Sequence, residues 1–226
     1  MNIRSYISAQ AVRFVVARPV VYMPDLIRGL QERYQFAAIP RRIEDLLPPD
    51  PTTTPVELSH GVINYQGRTI VIRALRIFAQ AISTQVAAST DDSEWLLEDV
   101  MAWASEKFAL KFTESSPRRA YTSELEIEFA AHLEDYYFPG ITKIGKMLAD
   151  ALQAQGYTTD VPPFQVASWT LNADPSKLAL ASDFRIERRV PFPYDMNLYY
   201  SQAPLKTAAH IEILEQIERT VAESAG

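Results

Sequence analysis

The strongest candidate for chemistry is a row of alternating charge, Asp183, Arg185, Glu187 and Arg189, on a segment with strand-like periodicity. Guanidinium groups four residues apart on one strand face, as at Arg185 and Arg189, can grip a phosphate or carboxylate through paired N–H donors. A second row, Glu124, Glu126 and Glu128, alternates with Leu125 and Ile127 and also occupies a single strand face. Two readings compete. Arg185 and Arg189 with Glu124, Glu126 and Glu128 line a site for a small anionic ligand, or the two rows face each other on a solvated sheet and neutralise one another. The second needs no ligand and is the favoured one.

Gly140-Ile141-Thr142-Lys143-Ile144-Gly145-Lys146 follows a phosphate-binding loop through seven positions, but Met147 stands where a hydroxyl would ligate magnesium. Ile141 and Ile144, continued by Leu148 and Leu152, instead trace the apolar stripe of a helix. His60, His132 and His210 have no metal-ligand spacing, although His132 lies near Glu134 and Asp135 and His210 near Glu212. The chain has 7 glycines and no cysteine, which removes glycine-rich phosphate cradles, thiol catalysis and Cys-type zinc sites from consideration. No cofactor or metal is expected, and an enzyme is the less favoured class.

Aromatic residues gather in two places. Between Val190 and Pro204 three prolines stiffen a segment carrying Phe192, Tyr194, Met196, Tyr199 and Tyr200, and a second cluster is Tyr136, Tyr137 and Phe138. Large amphipathic rings on a stiff backbone provide contact area at low entropic cost, as recognition surfaces often do. A protein partner or a second copy of the chain is therefore expected to meet Phe192, Tyr194, Met196, Tyr199, Tyr200, Tyr136 and Tyr137. The competing reading folds the same rings back over their own core, with Tyr199 and Tyr200 in a short strand.

Composition narrows the setting. A formal charge of -6 and a pI near 5.2 argue against a phosphate-backbone partner, and Arg41-Arg42, Arg118-Arg119 and Arg188-Arg189 are scattered pairs, so nucleic acid is not expected. Arg13 and Arg18 interrupt the only apolar stretch near the start, and no run reaches the roughly 20 apolar residues that span a bilayer. A soluble, cytoplasmic protein without membrane attachment is the expectation.

The elements that must position these residues follow from periodicity. A strand over Arg4 to Val16 precedes a helix opened by Pro24 and Asp25 and reaching Tyr34; a proline-rich loop spans 47–55. Val56 to Tyr65 and Arg68 to Ala79 flank Gln66-Gly67 as a hairpin, which puts Val62 opposite Val71, Leu58 opposite Leu75 and Val56 opposite Ile77 on one apolar face. A helix over Ser93 to Leu110 closes the first half. The second half reads as a strand around Tyr121 to Phe129, a helix from Ile141 to Gln155, a hairpin of Phe164 to Leu171 with Leu178 to Val190 around 172–177, and a helix from Thr207 to Ser224. The fold class is α+β, with helices packed on antiparallel sheets and the order β-α-β-β-α used twice. Two ferredoxin-like or related split units, 1–115 and 116–226, are expected, with one continuous domain as the alternative. The halves show no evident residue identity. Together these features favour a non-catalytic protein-binding or scaffold subunit of a homo-oligomer or larger complex; the alternative is an enzyme or small-molecule binder acting on an anion.

Overall fold

Long alternating runs make the two central strands. β1 (Asn2–Arg18) and β5 (Lys111–Glu128) pair antiparallel from Asn2 opposite Glu128 to Arg18 opposite Lys111. The computed structural model describes residues 1–19, 22–130, 132–156, 162–174, 176 and 182–224. On one side of β1 lie β4 (Ile82–Val86), β3 (Arg68–Ile77) and β2 (Val56–Tyr65). On the far side of β5 lie β8 (Leu198–Ala203), β7 (Phe184–Arg188) and β6 (Ser168–Leu171). The result is one eight-stranded sheet, ordered β2-β3-β4-β1-β5-β8-β7-β6, whose strand pairs run antiparallel.

That order is a palindrome about the β1–β5 seam. The first half adds α1 (Met23–Tyr34), a single turn α2 (Ile43–Leu46) and α3 (Thr90–Phe108); the second adds α4 (Leu133–Tyr137), α5 (Pro139–Ala154) and α6 (Thr207–Ser224). Each half therefore carries three strands between its main helices, where periodicity predicts two. Ile82–Val86 and Leu198–Ala203 are the extra strands, each only five or six residues and each leading directly into a helix. Neither half has ferredoxin-like order, in which the first strand lies parallel beside a later one; here β1 runs antiparallel to both of its neighbours. Position 115/116, where sequence patterning divides the chain, falls inside β5.

The first hairpin keeps the expected register, with Tyr65 opposite Arg68, Val62 opposite Val71 and Leu58 opposite Leu75. Its apolar face does not run straight through. His60 takes a left-handed φ of 59°, and the β3–β4 register shifts between Ile72 and Ala74. Beyond that kink Ile70 and Ile72 point inward and Val71 is turned out, 48% exposed.

Two apolar clusters hold the helices to the sheet. In the first half Leu26, Ile27, Leu30 and Tyr34 of α1 join Leu58, Leu75, Leu96, Leu97 and Val100; in the second, Leu125, Ile127, Phe129, Ile186, Tyr199 and Leu214 form the centre. Ser89 caps α3 by accepting from the Asp92 N–H, and the Asp92 carboxylate in turn accepts from the Ser89 N–H. At the seam the first turns of α3 and α6 meet. The Thr90 N–H donates to Thr207 Oγ1 at 2.9 Å and the Thr207 N–H donates to Thr90 Oγ1 at 2.8 Å, so each helix start satisfies the other.

Candidate functional site

The reciprocal threonines, 117 residues apart, set the correspondence between the halves. The same offset places Thr84 on Ser201, Ser93 on His210, Leu97 on Leu214, Leu96 on Ile213 and Val100 on Ile217. Beneath the helices, Thr84 Oγ1 lies 2.9 Å from Ser93 Oγ, and in the matching place Ser201 Oγ lies 2.9 Å from His210 Nε2. A buried polar link between the inner strand and its helix is thus made twice with different side chains. Burial pushes the His210 imidazole down to about 4, so it is neutral near neutral pH.

The halves differ in what covers them. α1 packs across β2 and α3, and Gly29 lets it approach so closely that a Cβ there would stand 2.8 Å from the Trp103 ring. Leu96 belongs to the same apolar cluster as α1 and is 1% exposed. The corresponding helix of the second half, α5, packs on α4, and it is the five-residue α4 that packs on α6. Ile213, the counterpart of Leu96, is 40% exposed. It lines an apolar groove of about 560 Å³ with Tyr137, Phe138, Trp169, Phe184 and Ile217. Aromatic rings form a continuous wall there: Tyr137 to Trp169 at 6.1 Å, Phe138 to Trp169 at 6.2 Å, Trp169 to Phe184 at 5.8 Å and Phe184 to His210 at 6.0 Å.

α5 itself presents an unmatched apolar stripe. Ile141, Ile144, Met147 and Leu148 are all exposed, Ile144 at 54%. The face that is buried carries Gly145 and Ala149, and the Phe164 N–H donates to the Gly145 carbonyl at 3.2 Å. A Cβ at Gly145 would come within 1.9 Å of the Phe164 carbonyl oxygen, so this crossing requires glycine. The glycines that imitate a phosphate-binding loop therefore sit inside a helix, where Gly145 serves a backbone contact.

Among the aromatic residues singled out in the sequence, Tyr137 lines the groove, with its hydroxyl donating to the Ile217 carbonyl at 3.4 Å, and Tyr136 packs edge-on against it at 4.9 Å. Phe192 and Met196 are exposed. Tyr199 is buried against Phe129, out of reach of any partner, and β8 carries it there together with the half-buried Tyr200. Tyr194 and Tyr199 stack on the buried Arg188, at 4.4 and 4.9 Å, and Arg188 Nη1 donates to the Tyr194 carbonyl at 2.6 Å. Part of the proline-rich segment is thereby folded onto its own half. Trp169 and Ile213 are groove residues that sequence reasoning passed over; the signal for Trp169 was a tryptophan two residues before Leu171 in the short Ser168–Leu171 strand.

β8 lies between the two charged rows, so they are not the cross-strand neighbours expected, and of the ion pairs that follow only Arg189–Glu126 links them. Arg189 Nε donates to Glu126 Oε1 at 2.9 Å, Arg4 pairs with Glu128, and Arg185 lies 3.8 Å from Glu187 with its guanidinium 5.4 Å over the Tyr200 ring. Burial raises the Glu124 carboxyl above the ordinary range, while Arg73, Tyr200 and Arg185 pull it the other way. His60 and His132 lie exposed on the surface. Among the described residues no three His, Asp or Glu side chains gather as metal ligands would, and no helix is long and apolar enough to cross a membrane. The side chains of Arg118, Glu134 and Asp135, the hairpin-turn residues Pro175 and Lys177, and the strand start from Leu178 to Ala181 lie outside the described residues. Compared with protein-family models and with curated proteins, the chain matches none.

Proposed function

We propose that the chain is a non-catalytic protein-binding subunit whose recognition surface is the aromatic groove of its second half, and that the groove accepts an amphipathic helix. One observation carries this reading. In the first half α1 packs on α3 and Leu96 is buried; in the second it is the five-residue α4 that packs on α6 among the described residues, and Ile213, the counterpart of Leu96, is 40% exposed in the groove beside it. An apolar cavity walled by rings and offering few polar partners suits the apolar face of a helix, read at i, i+3, i+4 and i+7, better than it suits a charged metabolite. Tyr137, Trp169 and Phe184 would serve as anchors, because large rings in desolvated pockets dominate binding energy. Phe192 and Met196 stay exposed and are proposed as a second contact region.

A dye-labelled peptide spanning residues 22–36, the helix that fills the equivalent site, tests the reading by fluorescence anisotropy. Saturable binding is expected, weakened at least about tenfold by Ile213→Glu and unchanged by Val71→Glu on the first half. No saturable binding, or equal affinity for both variants, would remove the groove as a recognition surface.

A further inference from the structure

We infer that the helix entering the groove is α5 of a second copy of this chain, so that two copies exchange α5 helices across a two-fold axis. The inference rests on the groove reading above and names its occupant. Three features of the molecule support it.

First, one chain carries both parts of the contact. The α5 stripe of Ile141, Ile144 and Leu148 is exposed, with a spacing that keeps it on one helix face, and the groove opens around Ile213 and Trp169. Each chain offers one stripe and one groove. A self-complementary pair of surfaces closes in a dimer and leaves neither apolar face in water. At 16 residues α5 is about 24 Å long, so it can cover a site that the 12-residue α1 fills in the first half.

Second, the two helices differ in charge. α5 carries Lys143 and Lys146 against one acid, Asp150, while α6 carries Glu212, Glu215, Glu218 and Glu223 against Arg219. That difference favours α5 over an acidic helix as the occupant.

Third, α5 is held away from its own groove. Its small-residue face is occupied by the Phe164 segment, through the close crossing at Gly145 and the hydrogen bond to its carbonyl. That contact uses the Gly145–Ala149 face and turns the isoleucine stripe outward. The groove of a neighbouring copy can then receive the stripe without unfolding the crossing.

Sedimentation equilibrium of the full chain over a dilution series tests the exchange. A reversible dimer is expected. Ile144→Glu with Leu148→Glu removes the stripe, and Ile213→Glu blocks the groove; these positions are exposed, and circular dichroism checks that each variant is folded. Each variant alone should be monomeric at concentrations where the wild type pairs, with dissociation at least about tenfold weaker. A mixture of the two variants retains one intact stripe and one intact groove, and should form a mixed dimer that neither forms alone. Lys143→Glu should weaken the dimer, and adding Glu212→Lys should restore it.

A dimer indifferent to the stripe and groove variants, or a mixture that fails to pair, overturns the exchange. A monomeric wild type that still binds the 22–36 peptide overturns the exchange and leaves the groove reading standing; a monomer that binds no peptide overturns both. A monomer that takes the peptide only after Ile144→Glu and Leu148→Glu shows that the chain's own α5 fills the groove, and also overturns the exchange.

Discussion

α1 and α5 come at the same point in the chain order of the two halves and end in opposite conditions. α1 turns Leu26, Ile27, Leu30 and Tyr34 into the core, whereas α5 leaves Ile141, Ile144 and Leu148 in water. Both are amphipathic, so pattern alone does not decide which face a helix buries. The deciding contacts are backbone approaches. Gly29 brings α1 against Trp103 over the sheet, and Gly145 brings α5 against the Phe164 segment beside it. A stripe of branched aliphatics is an instruction to find a partner surface, and among the described residues of the second half it stays exposed.

Four experiments test this contrast. The largest effect is expected from Leu30→Ala beside Leu148→Ala, measured by urea denaturation at concentrations too low for association. Emptying the buried Leu30 position should cost about 2–5 kcal/mol, whereas the exposed Leu148 should change stability by no more than about 0.5 kcal/mol. Equal losses would mean that α5 is buried in the isolated chain.

Next in size is a pH response confined to the second half. His210 is fully buried and burial lowers its pKa from 6.5 to about 4, so the unfolded chain takes up a proton that the folded chain refuses. Its contribution is complete above pH 6.5 and is lost as the pH falls toward 4, on the order of 3 kcal/mol in all. His210→Ser installs the residue type of its counterpart Ser93. Stability followed from pH 7 to 4 should then fall less steeply than in the wild type, and parallel curves would refute the assignment.

The seam comes third. Thr90→Val keeps the shape of the side chain but leaves the Thr207 N–H without its acceptor, for an expected loss of about 1–3 kcal/mol. Thr90→Ser retains the hydroxyl and should recover most of that loss in the same thermal melt. If valine and serine behave alike, the reciprocal cap does not hold the two helix starts together.

The smallest effect belongs to the ionic rows. Arg189→Gln opens the half-exposed pair with Glu126 and should cost no more than about 1 kcal/mol, less still in high salt. A larger loss would show that this pair is screened from water far more than its exposure suggests.

Much of this architecture could be read directly from residue order. Gln66-Gly67 announced the first hairpin because Gly67 can take positive φ, and pairing outward from that turn reproduces every register position from Tyr65 to Val56. The inward row of Ser123, Leu125, Ile127 and Phe129 was equally plain. β4 escaped because the five residues Ile82–Val86 carry too little alternation to separate from loop, whereas β8 (Leu198–Ala203) contains the short strand at Tyr199 and Tyr200 that the competing reading of the aromatic segment offered. The inner-strand and helix repeat escaped for a related reason. Between Ile82 and Lys107 the offset conserves only Gln85/Gln202, Thr90/Thr207, Leu97/Leu214, Glu98/Glu215 and Glu106/Glu223. What recurs otherwise is a role, such as a buried hydroxyl or imidazole under a helix, which several residue types can fill.

Residue order specifies most of the longer strands and helices, the turn of the long hairpin and the apolar side of the amphipathic elements, because these are local properties of spacing and backbone preference. The tertiary structure alone decided that two weakly similar halves share one palindromic sheet, that Thr90 and Thr207 cap each other, and that α5 stands aside while α1 closes down. Those outcomes depend on contacts between residues far apart in the chain. Side-chain volume and the close approach permitted by single glycines select among packings that periodicity leaves equivalent.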